Sequence, residues 1–300
     1  MRLVVAIGGN ALLQRGEVLS AENQEHNIQR AADALTKIAD GHEVVLVHGN
    51  GPQVGLLALE AEAFKEAPAF PLDVLGAESQ GMIGYVIGQV LANEMPDRRI
   101  ATLLTRTLVD PKDPAFSNPT KLIGPIYSMS DAQDLSRDRG WDVAQDGKNF
   151  RRVVPSPTPV DILELPIVKN LVASGVLVIC GGGGGIPVMQ EANGHMSGVE
   201  AVVDKDLTAA LLACRLNADR LLILTDVDGV YRNWGQADEQ KLDRATPTAL
   251  TTMNFAEGSM GPKIAAACNF VQATGNPAMI GSLKNADQVL AGTKGTWISN

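Results

Sequence analysis

Three lysines and a few aspartates stand in settings where negative charge would have to be handled. In AVVDKDLTAALLA, Asp204, Lys205 and Asp206 come immediately before an apolar stretch read as a helix over Leu207–Leu216. A lysine flanked by two aspartates in such surroundings is a poor candidate for a merely solvated charge. In GSMGPKIAAA, Lys263 falls in the first turn of a helix, after Pro262 at a position that proline favours. A cation there opposes the helix dipole, so its presence points to an anionic ligand that offsets it. Lys121, in SNPTKLIGPIY, reads by itself as a surface charge. RLLILTDVDGVY ends a strand in Asp226, Asp228 and Gly229, a pattern open to two readings: a simple turn, or a contact to a nucleotide or its metal-bound phosphates.

Three glycine loops accompany these charges. VVAIGGNALL places Gly8, Gly9 and Asn10 after a strand, where open α/β sheets bind ligands and bare backbone N–H groups can meet a phosphate. VVLVHGNGPQVG places Gly49, Asn50, Gly51 and Gly55 after another strand, one residue too long for the dinucleotide fingerprint, which disfavours a Rossmann dehydrogenase. His48 at that strand end reads as a structural hydrogen-bonder rather than a base. VLVICGGGGGIPV runs Gly181 to Gly185 straight after a strand. Five glycines give up much backbone entropy on folding, so the run implies close approach to a ligand or to another glycine loop.

No G-x-x-x-x-G-K-[ST] loop, protein-kinase signature or G-x-S-x-G elbow occurs, and four scattered histidines form no metal pair. Lysines, glycines and aspartates without a nucleophile or base suit phosphoryl transfer, where catalysis is mostly positioning and charge neutralisation.

The elements that would hold these residues alternate. Strands are expected at Leu3–Ile7, Glu43–Val47, Ile100–Thr105, Val176–Ile179, Arg220–Leu224, Pro277–Ile280 and Thr296–Ile298. Helices are expected at Asn23–Asp40, Gly76–Asn93, Ile167–Ser174, Leu207–Leu216 and Pro262–Ala273. Continuous apolar strands between helices predict an α/β fold with a mostly parallel sheet covered on both faces. A proline-rich stretch from about 110 to 159 breaks the pattern and is too long for a plain loop; it reads as an inserted subdomain or flap.

The 300 residues, 45% apolar and 20% charged, can bury a substantial core and do not fit intrinsic disorder. The net charge of −9 disfavours a nucleic-acid partner and requires any phosphate to be held by local donors. Cys180, Cys214 and Cys268 are too few and too scattered for a disulfide framework or a zinc site and read as free thiols in a reducing compartment. With no apolar run of membrane length, the expectation is a cytoplasmic protein without a membrane partner.

The ordered set IGGNALL, HGNGPQVG, GAESQGMIGY, PTK-IGP-Y, RRVVPSP, GGGGIPV, DKDL, LTDVDGVY and GSMGPK resembles the carbamate kinase branch of the amino acid kinase family, from residue 4 to about 264. The resemblance implies an open, mainly parallel eight-stranded sheet between helices and a homodimer. It further implies one family-type domain over 1–300, with a carbamate-side lobe over 1–190, a protruding subdomain about 110–159 and a nucleotide-side lobe over 191–300. The implied reaction is reversible phosphoryl transfer between ATP and carbamate, or carbamoyl phosphate and ADP, with Mg²⁺. Gly8, Gly9, Asn10, Gly49, Asn50, Gly51, Gly182 and Gly183 would then hold carbamate and the transferred group. Lys205 and Lys263 would neutralise it, Asp206 would orient the lysines, and Lys121 would reach in from the flap. Asp226, Tyr231, Met260 and Lys263 would lie near the nucleotide, and no side chain is assigned as a metal ligand. Sibling kinases of larger acyl substrates carry a lysine where this chain has Ala6, which favours carbamate. Another small-acid or phosphonate kinase of the same fold is the alternative.

Overall fold

The computed structural model describes residues 1–13, 17–256 and 258–300. Its centre is one eight-stranded sheet made of β1 (Arg2–Ile7), β2 (Glu43–His48), β3 (Ile100–Thr102), β4 (Leu177–Ile179), β5 (Arg220–Thr225), β6 (Arg244–Ala245), β7 (Ala278–Ser282) and β8 (Thr296–Ile298). The order is β6-β8-β7-β5-β1-β2-β4-β3. Every pairing is parallel except β7 with β8.

Both faces of the central strands are apolar, and the two-residue period of a strand decides which residue goes where. Leu3, Val5, Ile7, Val44 and Leu46 pack with α1 (Ala21–Ala39), α3 (Leu72–Glu94) and a short helix Ala286–Leu290. Val4, Ala6, Val45, Val47, Leu221 and Ile223 pack with α4 (Leu165–Ala173), α5 (Lys205–Arg215) and α6 (Met260–Thr274). Each fully buried Val, Leu or Ile contributes about 1.5–3 kcal/mol relative to exposure. Ala6 is one of these sealed core positions.

Four neighbouring strands, β5, β1, β2 and β4, run parallel, so their carboxyl ends open on one edge. Asp226, Gly8, Gly49 and the glycine run after Cys180 follow those ends directly. The topology therefore gathers all three glycine loops and the Asp226 turn.

Some expectations change. The strand expected over Ile100–Thr105 stops at Thr102, because the chain leaves for a second, four-stranded sheet built from Arg106–Val109, Pro159–Ile162, Ile186–Gln190 and Met196–Gly198. The helix expected from Leu207 starts at Lys205, since the Asp204 carboxylate caps it by accepting from the Asp206 and Leu207 N–H groups. Within 110–159, Lys121–Tyr127, Asn149–Val154 and Val143–Asp146 form a three-stranded antiparallel sheet beside the helix Met129–Arg139.

Candidate active site

The glycine loops touch one another through backbone. Gly8 N–H donates to Leu224 O at 2.8 Å and Gly49 N–H to Ile7 O at 3.0 Å, tying the first two loops to neighbouring strands. A Cβ on Gly49 would lie 2.7 Å from the Gly9 nitrogen, so no side chain fits between them. Gly9 begins the helical turn Gly9–Leu12, which includes Asn10; the Asn10 side chain lies outside the described residues. Gly51 opens α2 (Gly51–Ala63).

The five-glycine run is wedged among side chains. Gly183 has φ +63°, and a Cβ there would collide with the Asn50 amide at 2.1–2.4 Å. A Cβ on Gly182 would strike the His48 ring at 2.4 Å. His48 is buried, with Nδ1 3.0 Å from Gly49 O. Burial pulls its pKa down to about 4, against the Gly49 hydrogen bond and with help from the Lys205 charge, so the ring is neutral at physiological pH. Thr208 and Thr107 both donate to Gly184 O at 2.8 Å, fastening the run to α5 and to the second sheet.

The lysines converge on two carboxylates. Lys205 Nζ is paired with Asp206 Oδ1, and Lys263 Nζ is 3.0 Å from Asp206 Oδ2. One buried carboxylate, 3% exposed, thus spans both ammonium groups. Lys121 Nζ reaches Asp204 Oδ2 at 2.6 Å from the first residue of its strand. Burial lowers the Lys205 pKa, and Asp206 works against that shift. Burial would raise the Asp204 carboxyl, but Lys121, Lys205 and Lys263 together hold it well below the ordinary carboxylate range. The offset to the cation in the first turn of α6 is thus supplied in part by the protein's own Asp206.

Lys263 also lines a cleft of about 950 Å³ with Asp226, Tyr231, Trp234, Phe255 and Met260. Tyr231 donates to Asp228 at 2.7 Å, and that hydrogen bond pushes its pKa up to about 12. Trp234 stands edge-on to Tyr231 with centroids 4.9 Å apart. Asp226 accepts from the Thr225 hydroxyl at 3.0 Å.

The structure therefore brings Lys205, Asp206 and Lys263 together, sets Lys121 beside them through Asp204, and places Asp226, Tyr231 and Met260 with Lys263 around one cleft. Gly55 has a different part: a Cβ there would lie 2.4 Å from the Gly124 Cα, so this glycine lets α2 pack against the Lys121 strand. Sequence reasoning misses Asp204 as the partner of Lys121, Ser79 as the partner of Asn50, and the cleft-lining Trp234 and Phe255. The GAESQG motif is the available signal for Ser79.

The amino acid kinase family model matches residues 1–282. The chain belongs to the amino acid kinase family. Within that family it sits among the carbamate kinases. It is 50% identical to the carbamate kinase of Haemophilus influenzae over 300 residues, covering 100% of this chain and 97% of that one. It is 51% identical to the Escherichia coli K12 carbamate kinase over 297 residues, 99% of each chain. Carbamate kinase from Giardia lamblia bound to AMP-PNP superposes with TM-score 0.91 at 44% identity, over 99% of this chain and 98% of that one.

Membership of this family of ATP-dependent kinases implies a divalent metal ion. Among the described residues no group of three or more His, Cys, Asp or Glu side chains is placed to hold an ion. Asp204 and Asp206 are engaged by lysines, and Asp226, which accepts from Thr225, stands exposed at the edge of the cleft. The residues present thus fit an ion carried mainly by nucleotide phosphates. No helix among the described residues is long and apolar enough to cross a membrane.

Proposed function

We propose that this chain is a carbamate kinase, catalysing reversible phosphoryl transfer between carbamoyl phosphate and ADP on one side and carbamate and ATP on the other. The observation that carries the reading is the double duty of Lys263, which shares Asp206 with Lys205 and also lines the cleft. An anion site and a nucleotide-sized cleft meet at that ammonium group.

Neither reactant needs a base. A β-phosphate oxygen of ADP attacks phosphorus, the bond from phosphorus to the carbamoyl oxygen breaks, and carbamate leaves with that electron pair; in reverse, a carbamate oxygen attacks the γ-phosphorus of ATP and ADP leaves with the electron pair of the broken bond. The obstacle is bringing two anions together, since two unit charges 4 Å apart repel by about 4 kcal/mol at an effective dielectric of about 20. Lys205 and Lys263 offset that repulsion on the transferred group, and Asp206 fixes where their ammonium groups stand. Lys121 adds a third cation from the flap. Backbone N–H groups of Gly9, Gly51, Gly182 and Gly183 receive the small substrate, while Gly8 and Gly49, whose N–H groups are held by Leu224 O and Ile7 O, keep the floor clear of side-chain bulk. Asp226, Tyr231 and Met260 hold the nucleotide. Mg²⁺, bound through the phosphates, supplies further neutralisation of their charge.

The Ala6 position carries no lysine and the glycine floor is tight; both favour the smallest acid substrate. A cytoplasmic homodimer is the expected setting, checked by light scattering of the purified chain. The deciding measurement is a coupled assay for ATP formed from carbamoyl phosphate and ADP. Robust ATP formation is expected; phosphorylation of a different acid with none from carbamoyl phosphate would replace this reading with the alternative small-acid kinase.

A further inference from the structure

Asn50 is 6% exposed and lies in the wall made by the second and third glycine loops. Its Nδ2 donates to Ser79 Oγ at 2.8 Å, and the Ser79 hydroxyl donates to Gly76 O at 2.8 Å inside α3. A hydroxyl has one proton. Because Ser79 commits that proton to Gly76 O, its oxygen can only accept from Asn50, and this fixes which end of the amide faces it. Asn50 Oδ1 is left as an acceptor with no hydrogen bond from the described residues. The Gly183 backbone lies so close to the amide that a Cβ there would strike it at 2.1–2.4 Å.

Once a ligand fills the site and displaces water, a carbonyl oxygen left without a donor is electrostatically adverse unless the ligand brings one. Carbamoyl phosphate has one donor group, its –NH₂; every other polar atom is an acceptor. Resting on the carbamate kinase reading, we propose that Asn50 Oδ1 accepts from the substrate amine and that Ser79 is the positioning residue that holds the amide in that sense. The pair is the device by which the site selects a carbamoyl over an acetyl group, which has the same shape but carries a methyl in place of the amine. A site with a hydrogen-bonding group left unpaired by the wrong ligand discriminates strongly, whereas shape alone does not.

The test measures kcat/KM for carbamoyl phosphate, the inhibition constant of acetyl phosphate and KM for ADP in the wild type, Asn50→Leu, Ser79→Ala and Ser79→Thr. In the wild type, acetyl phosphate binds about 10- to 100-fold more weakly than carbamoyl phosphate. Asn50→Leu lowers kcat/KM for carbamoyl phosphate at least about tenfold while the acetyl phosphate constant stays within about threefold. Ser79→Ala moves the ratio of the two ligands the same way by a smaller factor, and Ser79→Thr, which keeps the hydroxyl, restores it. ADP KM stays constant throughout, which reports an intact fold, and Ser79→Ala carries the test if Asn50→Leu does not fold. Equal losses for both ligands in Asn50→Leu and Ser79→Ala, with normal wild-type turnover, would overturn the amine contact alone. Absence of ATP formation from carbamoyl phosphate in the wild type would overturn the phosphoryl-transfer reading and the amine contact with it.

Discussion

The two ends of the site are built by opposite means. At one end Lys205, Lys263 and Asp206 form a buried triad whose ammonium positions are set by one carboxylate. At the other, Tyr231 and the 64% exposed Trp234 border a wide cleft through an edge-to-face ring contact. Charge neutralisation acts on atoms that must be placed within tenths of an ångström, so it is held by short, buried ion pairs. A nucleotide base is held by shape and area, which tolerates exposure and adjustment. Damage should therefore fall on turnover at the first end and on affinity at the second.

Asp206→Ala should have the largest effect. It leaves two buried lysines facing each other, which costs about 3–5 kcal/mol of stability, and it releases both ammonium groups from position. Chemical denaturation together with kcat checks this, and a melting curve like the wild type's would show that the triad is not electrostatically strained. Next, Lys205→Ala or Lys263→Ala should cut kcat by about 10²–10³ or more with the fold intact, because Asp206 keeps the other lysine. Turnover within tenfold of the wild type would remove that lysine from the mechanism.

Lys121→Ala should follow, lowering kcat by about tenfold or more while changing nucleotide KM little; equal changes in both would assign the flap lysine to nucleotide binding. Trp234→Ala should do least to turnover, raising ADP KM by a factor of about 2–10 at near-constant kcat, in line with the worth of one aromatic contact. A kcat loss larger than the KM change would erase the contrast between the two ends.

The same contrast has a pH form. Burial pulls Lys205 below the ordinary lysine value of about 10.4. As pH rises through that lower value the ammonium charge is lost, so kcat/KM should decline on the alkaline side before an ordinary lysine titrates. Bound anions favour the charged form, so kcat should decline at higher pH than kcat/KM. Coincident alkaline limbs would mean that Lys205 does not face the reactants.

Much of this frame is legible in the chain. The strands β1, β2, β4 and β5 read directly from apolar runs, and their following loops carry the glycines and Asp226. The pairing of charges is not legible, because it is decided by folding. Lys121 and Asp204 are 83 residues apart and Lys263 and Asp206 are 57 apart, so no local spacing reveals either bond. The hairpin of Val230–Arg232 with Gln240–Leu242, which carries the loop holding Trp234, is also unread: its strands are three residues each and its connection is polar. The two-residue β6 lies below the length at which periodicity exists. Gly55 shows the converse limit, since it sits in a ligand-like motif yet serves a helix–strand contact.

The glycine run has a consequence for how the enzyme fails under stress. Gly181 to Gly185 have no side chains with which to hold themselves; they are kept in shape by His48, Asn50, Thr107 and Thr208, which arrive from three separate stretches of chain. The pocket floor should therefore loosen on warming before the helices that flank it. Heat inactivation should run ahead of any loss of helical signal, and a saturating phosphate-bearing ligand should close the gap between the two curves.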